Sequence, residues 1–136
     1  KKEDKKQTDS EEMISNLLIE LDPDLKDEIN PDNKDTLKCR IRFYSKEGTH
    51  TITKIYQHIG GEYGNTRMKI LDFETKEEID GGWDQPTILT INKDEVKGLM
   101  LVFYRIGDSE KSHVGVRIET SEDIYTMDFY IRWDIY

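Results

Sequence analysis

The sequence predicts an all-β fold, an antiparallel β-sandwich of seven or eight strands, and three observations carry the prediction. Apolar residues recur at every second position in segment after segment, as in "LKCRIRFY" and "HVGVRIE". Short polar turns such as "KEGT", "GDSEKS" and "TSED" separate these segments. No long stretch carries helical periodicity, and no strand–helix–strand rhythm runs along the chain. A small β-barrel is the competing architecture, since closing the same strands on themselves would use the same pattern.

The chain divides into a charged tether, residues 1–12, and a single β-sandwich domain, residues 13–136. The opening "KKEDKKQTDS" has no apolar residue and mixes both charge signs, so it has nothing to pack against a core and is expected to be disordered. Two patterns compete over residues 13–21. Met13, Leu17 and Leu21 recur every four residues behind Asp9 and Glu12, which are placed like a capping box and suggest a helix. Leu17, Ile19 and Leu21 alternate and stop before Pro23, which suggests a strand, and the β-like character of everything downstream favours the strand. In "DPDLKDEINPDN" one or two helical turns are expected between Pro23 and Pro31.

Strand signals then follow in order. "LKCRIRFY" places Leu37, Cys39, Ile41 and Phe43 on one side and Lys38, Arg40 and Arg42 on the other. "HTITKIYQHI" alternates imperfectly, and one bulge near Thr53 restores the phase. "GGEYGN" is a turn rich in residues that accept positive φ. "RMKILDF" reads as a strand, "TKEEIDGGWDQ" as a loop, and "PTILTI" as a strand starting at Pro86, where a missing N–H is tolerated. "LMLVFYRI" is apolar on both faces apart from Arg105, as a central strand covered on each side would be. The last strand is expected over Ile124–Tyr136, with Tyr125, Met127, Phe129, Ile131 and Trp133 in phase on the core side.

Over residues 16–136 the strand count, length and turn spacing resemble Ig-like modules of the fibronectin and cadherin type. "LMLVFYRIGDSEKSHVGVRIE" is similar to the hairpins of bacterial cadherin-like modules. The single cysteine, Cys39, excludes the inter-sheet disulfide of antibody domains and reads as a small buried apolar residue. The opening residues resemble the stretch that follows the acylated cysteine of bacterial lipoproteins. That likeness implies a membrane-anchored lipoprotein of the cell envelope, exposed to periplasm or exterior, and a start at Lys1 rather than Met suits such processing.

Composition narrows the function classes. A net charge of -9 argues against non-specific binding to nucleic acid or anionic membranes, which demands clustered Lys and Arg. His50, His58 and His113 lack metal-ligand spacing, and His50 and His58 fall at opposite ends of one strand, roughly 26 Å apart by strand rise. Glu77 with Glu78, Asp94 with Glu95 and Glu122 with Asp123 are adjacent acidic pairs in turns, as a chain with 29 acidic residues produces without any catalytic purpose. No phosphate-cradling loop or nucleophile elbow occurs, and no cofactor or metal is expected.

The remaining candidates are loop and strand residues. Tyr63 in "GGEYGN" and Trp83 in "DGGWD" are aromatics beside glycine, suited to stacking on a sugar ring or a partner, while a Trp at that place also suits a plug for the end of the sandwich. Asp80 and Asp84 flank the second pair of glycines and supply oxygen for a ligand or for calcium. On the outward side of the last strand, Asp128, Tyr130, Arg132 and Asp134 form a row fit for solvent or for a protein partner. These features predict a non-catalytic envelope module acting in adhesion, surface binding or assembly. The first alternative is a carbohydrate-binding module using Trp83 and Tyr63, and the second a calcium-dependent hydrolase.

Overall fold

The computed structural model describes residues 10–14, 16–59, 65–82 and 85–135. Its strands are β1 (Ser10–Ile14), β2 (Leu17–Asp22), β3 (Asp27–Ile29), β4 (Thr36–Ser45), β5 (His50–Ile59) and β6 (Thr66–Asp72). They continue with β7 (Glu78–Ile79), β8 (Leu89–Ile91), β9 (Val96–Arg105), β10 (Lys111–Thr120) and β11 (Ile124–Arg132), and a 3₁₀ turn follows at Trp133–Ile135. Two sheets form, one ordered β1-β2-β4-β9-β6-β7 and the other β3-β11-β10-β5-β8. The pairings between these strands are antiparallel except β3 on β11, and isolated parallel bridges join Ser45 to Lys93 and Tyr56 to Gly82. The sheets do not close on each other, so the molecule is the expected β-sandwich and not a barrel.

Alternation builds this arrangement strand by strand. In β4 the inward Leu37, Cys39, Ile41 and Phe43 are buried while Lys38 and Arg42 are exposed. Inward residues of β9, β10 and β11 complete the core, where Phe103 and Phe129 meet edge to face at 5.5 Å. Such rings gain from burial and from the fit of one ring's positive edge to the other's negative face. In β5, Ile52 pairs with Thr120 and Lys54 with Glu119, so Thr53 is the extra residue of a bulge, where the broken alternation placed it. A second irregularity leaves His58 between Gln57, opposite Val116, and Ile59, opposite Gly115.

Several boundaries differ from expectation. β1 begins at Ser10, inside the segment read as tether, because a hairpin through Asn16 pairs it with β2. Residues 22–33 contain no helix. Instead a cis peptide at Asp22–Pro23, the buried Leu25 and the parallel pairing of β3 with β11 carry the chain from one sheet to the other. "PTILTI" enters the ladder only at Leu89, although the Thr87 N–H already donates to the Thr53 carbonyl at 3.1 Å. The loop after β6 contains the two-residue β7. The last strand stops at Arg132, where the backbone winds into a 3₁₀ turn as the Trp133 N–H donates to the Glu110 carbonyl at 2.8 Å. Trp133 nevertheless packs in the core, and its indole N–H donates to Ser112 Oγ at 2.8 Å.

Candidate functional site on the outer face of the second sheet

The hairpin of β10 and β11 determines which outward side chains meet. Its turn is closed by Thr120, whose N–H donates to the Asp123 carbonyl and whose Oγ1 accepts the N–H groups of Glu122 and Asp123. That turn puts Lys111 opposite Arg132, His113 opposite Tyr130 and Gly115 opposite Asp128. Parallel pairing of β3 then places Glu28 opposite Tyr130 on the other flank of β11.

All four residues expected on this row come together. Arg132 donates from Nε to Asp134 Oδ1 at 3.2 Å and from Nη2 to Asp134 Oδ2 at 3.4 Å, a two-pronged grip that planar guanidinium allows. Its Nη1 donates to Glu28 Oε1 at 3.2 Å, and Lys111 Nζ lies 2.8 Å from Glu28 Oε2. His113 Nε2 lies 2.5 Å from Asp128 Oδ1. Tyr130 stands inside this frame, stacked on His113 at 4.5 Å with an interplanar angle of 14° and covered by Lys111 Nζ at 4.9 Å from its ring centre. The ring is still 39% exposed.

The frame shows in the titration of its charged groups. Hydrogen bonds from Lys111 and then Arg132 hold the Glu28 carboxyl below the usual carboxylate range. The bond from Arg132 does the same for Asp134, while Asp134 and then Glu28 raise the guanidinium. All of these groups are solvent-exposed, so the shifts record orientation more than stability.

Next to this row, the His58 ring lies directly over Gly115, where an added Cβ would stand 2.5 Å from its Cε1. Burial and then the charge of Arg117 push the His58 imidazole below its ordinary value, and its Nδ1 is buried without a hydrogen-bond partner. Glu28, Lys111 and the role of His113 were not singled out from sequence. Folding the last two strong strands about "TSED" would have found Lys111 and His113, but Glu28 depends on a parallel pairing with no sequence signature.

The loop candidates fare differently. Tyr63, Trp83 and Asp84 lie outside the described residues. Asp80 is exposed, and its carbonyl accepts the Thr87 hydroxyl at 2.9 Å. Gly82 pairs with β5 through its N–H to the Ile55 carbonyl at 2.7 Å and its carbonyl to the Gln57 N–H at 2.9 Å. A Cβ there would stand 2.7 Å from the Met68 carbonyl oxygen, so this glycine provides a close approach of backbones. Among the described residues no three His, Cys, Asp or Glu side chains converge to hold a metal.

Fold and site together define a β-sandwich whose second sheet presents a charge-balanced, aromatic-centred outer face. No protein-family model matches the chain, and no curated protein matches it. Among solved structures it is similar to a family 123 glycoside hydrolase from Clostridium perfringens, at 11% identity and a TM-score of 0.52 over 78% of this chain and 22% of that one. It is also similar to the secreted serine protease VesC from Vibrio cholerae, at 9% identity and a TM-score of 0.50 over 80% of this chain and 22% of the other. A conjugate transposon protein from Bacteroides vulgatus aligns at 16% identity with a TM-score of 0.49, covering 87% of this chain and 86% of that one. The chain thus spans about a fifth of the length of the hydrolase and of the protease, and at these identities the likeness is one of fold alone.

Proposed function

We propose that this protein is a non-catalytic β-sandwich module of the bacterial cell envelope that recognises a protein partner through the outer face of β10 and β11. The observation that carries the reading is Tyr130, an exposed ring already held by His113 and Lys111 within an ion-pair frame. Tyr and Arg concentrate binding energy at protein interfaces, Tyr because it offers large contact area at small cost in rotamer entropy, and pre-ordering of the longer Arg side chain lowers the cost of fixing it. Opposite charges alternate around the ring at Glu28, Lys111, Asp128, Arg132 and Asp134, which favours a partner of mixed charge. The envelope setting rests on the apolar-free, charged residues 1–10, whose composition matches a surface tether.

A photo-cross-linking residue placed at Tyr130 in the native host tests this reading. One discrete adduct to a protein is expected, weakened when Arg132 is also replaced by Ala, and absent when the probe sits at exposed Lys34 instead. No adduct at Tyr130, or the same adducts from Lys34, would sink the proposal.

A further inference from the structure

The opposite face of the molecule has a different chemistry. On the outward side of the first sheet, β9 presents Gly98, Met100, Val102 and Tyr104, and cations of both neighbouring strands flank this row. Val102 lies between Lys38 of β4 and Lys69 of β6, Met100 lies beside Arg40, Gly98 beside Arg42, and Tyr104 beside Arg67. Arg40 and Arg42 are paired with Asp22 and Glu20 of β2. Among the described residues no ion pair reaches the side chains of Lys38, Arg67 or Lys69, although Asp32 Oδ2 accepts the Lys38 backbone N–H at 2.6 Å, and Lys69 Nζ sits 5.4 Å from the Tyr104 ring centre. In a chain of net charge -9 these three cations keep their charge beside a face where Asp22, Asp32, Asp72 and Glu74 also stand.

Grooves run across the same face. The turn after β6 is held by Asp72, whose Oδ1 accepts the N–H groups of Glu74 and Thr75, and it lays Phe73 across Gly98. The Phe73 N–H donates to the Gly98 carbonyl at 3.3 Å, and Arg40 stands 5.4 Å above the ring. Two clefts, of about 470 and 490 Å³, share Arg40 and Phe73. The two clefts lie on either side of the half-buried Phe73, an arrangement suited to a chain-like ligand.

We propose that this face binds an acidic glycan, a chain of sugars carrying carboxylate or phosphate groups. Lys38, Lys69 and Arg67 neutralise its charges, the rings of Phe73, which already carries Arg40 and Lys76, and of Tyr104, which carries Lys69, give its sugars apolar edges framed by cations, and Asp22 and Asp72 beside the clefts accept its hydroxyl groups. The apolar row decides against a protein partner. Val102 is only 2% exposed, so a docking protein would gain little by excluding water there. Duplex nucleic acid is disfavoured by its dense charge, about one per 1.7 Å, against an acidic protein. A sparser polyanion brings fewer charges against that acidity along the same length of face. This surface is separate from the Tyr130 face, and either proposal can fail without the other.

Affinity electrophoresis of the whole chain in gels containing polygalacturonate, phosphomannan, neutral dextran or polyglutamate tests the proposal. Retardation by polygalacturonate or phosphomannan is expected, the two arms identifying carboxylate or phosphate as the group read. It should weaken with added salt, fall by about tenfold or more in the double variant Lys38→Glu/Lys69→Glu, and fall severalfold in Phe73→Ala. Thermal melts accompany each variant, and Lys38→Gln/Lys69→Gln replaces the reversal if that variant does not fold. Tyr130→Ala should bind as the parent does. Absence of retardation by both acidic glycans, equal retardation by dextran, or unchanged binding in the lysine variants overturns the proposal. So does retardation by polyglutamate that matches the acidic glycans and ignores Phe73→Ala, which would assign the face to acidic proteins.

Discussion

At Cys39 a single side chain shows how the core treats polarity. The thiol is fully buried beneath the cis Asp22–Pro23 bond, its Sγ lies 3.3 Å from the Pro23 carbonyl, and burial pushes its pKa up to about 12. A thiolate is the reactive form, so the folded protein is expected to resist an aromatic disulfide reagent at pH 8 and to react promptly in denaturant. Rapid reaction of the native state would contradict the burial. The same shift predicts a pH dependence. The folded thiol keeps its proton where the unfolded one loses it, so its stabilisation is complete below about pH 9 and is lost as pH rises toward 12. The loss is at most about 1.4 kcal/mol per pH unit, and urea midpoints should fall faster from pH 9 to 11 in the parent than in Cys39→Ala. Trp133 illustrates the opposite case, a polar group retained because it has a partner in Ser112. Ser112→Ala leaves the buried indole N–H unpaired and should cost about 1–3 kcal/mol, while Trp133→Ala should cost about 3–5 kcal/mol through the cavity it opens.

Elements rather than residues explain the bulge at His58 and the closing strand. Gly115 has no Cβ because the His58 ring occupies that volume above β10. Gly115→Ala should therefore destabilise by about 1–3 kcal/mol, and His58→Ala in the same chain should restore much of it; additive losses would show that the ring is not the obstacle. Removal of residues 129–136 takes away Phe129, Ile131 and Trp133 and every partner of β3, so no cooperative melt is expected. A truncated chain melting at an unchanged temperature would refute that. The long strands were legible because half-burial writes a period of two into β4, β10 and β11, and because β9 is a run apolar on both faces, as a central strand is. β1, β3 and β7 were not, since strands of two to five residues at sheet edges need only backbone partners and impose little pattern on side chains. The site was half legible for the same reason. Phase alone put Asp128, Tyr130 and Arg132 on one side, but Glu28 joins them through a sheet switch that Leu25 and a parallel pairing create.

Across the whole molecule the two outer faces compete with the net charge, and magnitudes decide the outcome. Each exposed ion pair, such as Arg132 with Glu28 or Lys111 with Glu28, contributes little and weakens as salt screens it. The excess of -9 acts over the entire surface, repels itself in the compact state, and is screened as well. Because like charges outnumber the paired ones, relief of repulsion wins, and the melting temperature at pH 7 should rise as sodium chloride is raised from low to physiological concentration. Acid separates the two effects. Between pH 7 and about pH 5, partial protonation of ordinary carboxylates reduces repulsion and stability should hold or climb. Glu28, Asp72, Asp94 and Asp134 are held below their ordinary range by hydrogen bonds, chiefly from Lys111, the Thr75 backbone, Lys93 and Arg132 respectively. Such groups bind fewer protons folded than unfolded, so their contribution is full above the unfolded carboxylate range and is lost as pH falls through their folded values. Stability should therefore pass through a maximum near pH 5 and decline below pH 4. In Glu28→Gln the decline should be shallower, because one of the depressed carboxyls is gone. A melting temperature that falls steadily from pH 7 to pH 5 would mean that the ion-pair frames, not the net charge, dominate the electrostatics of this fold.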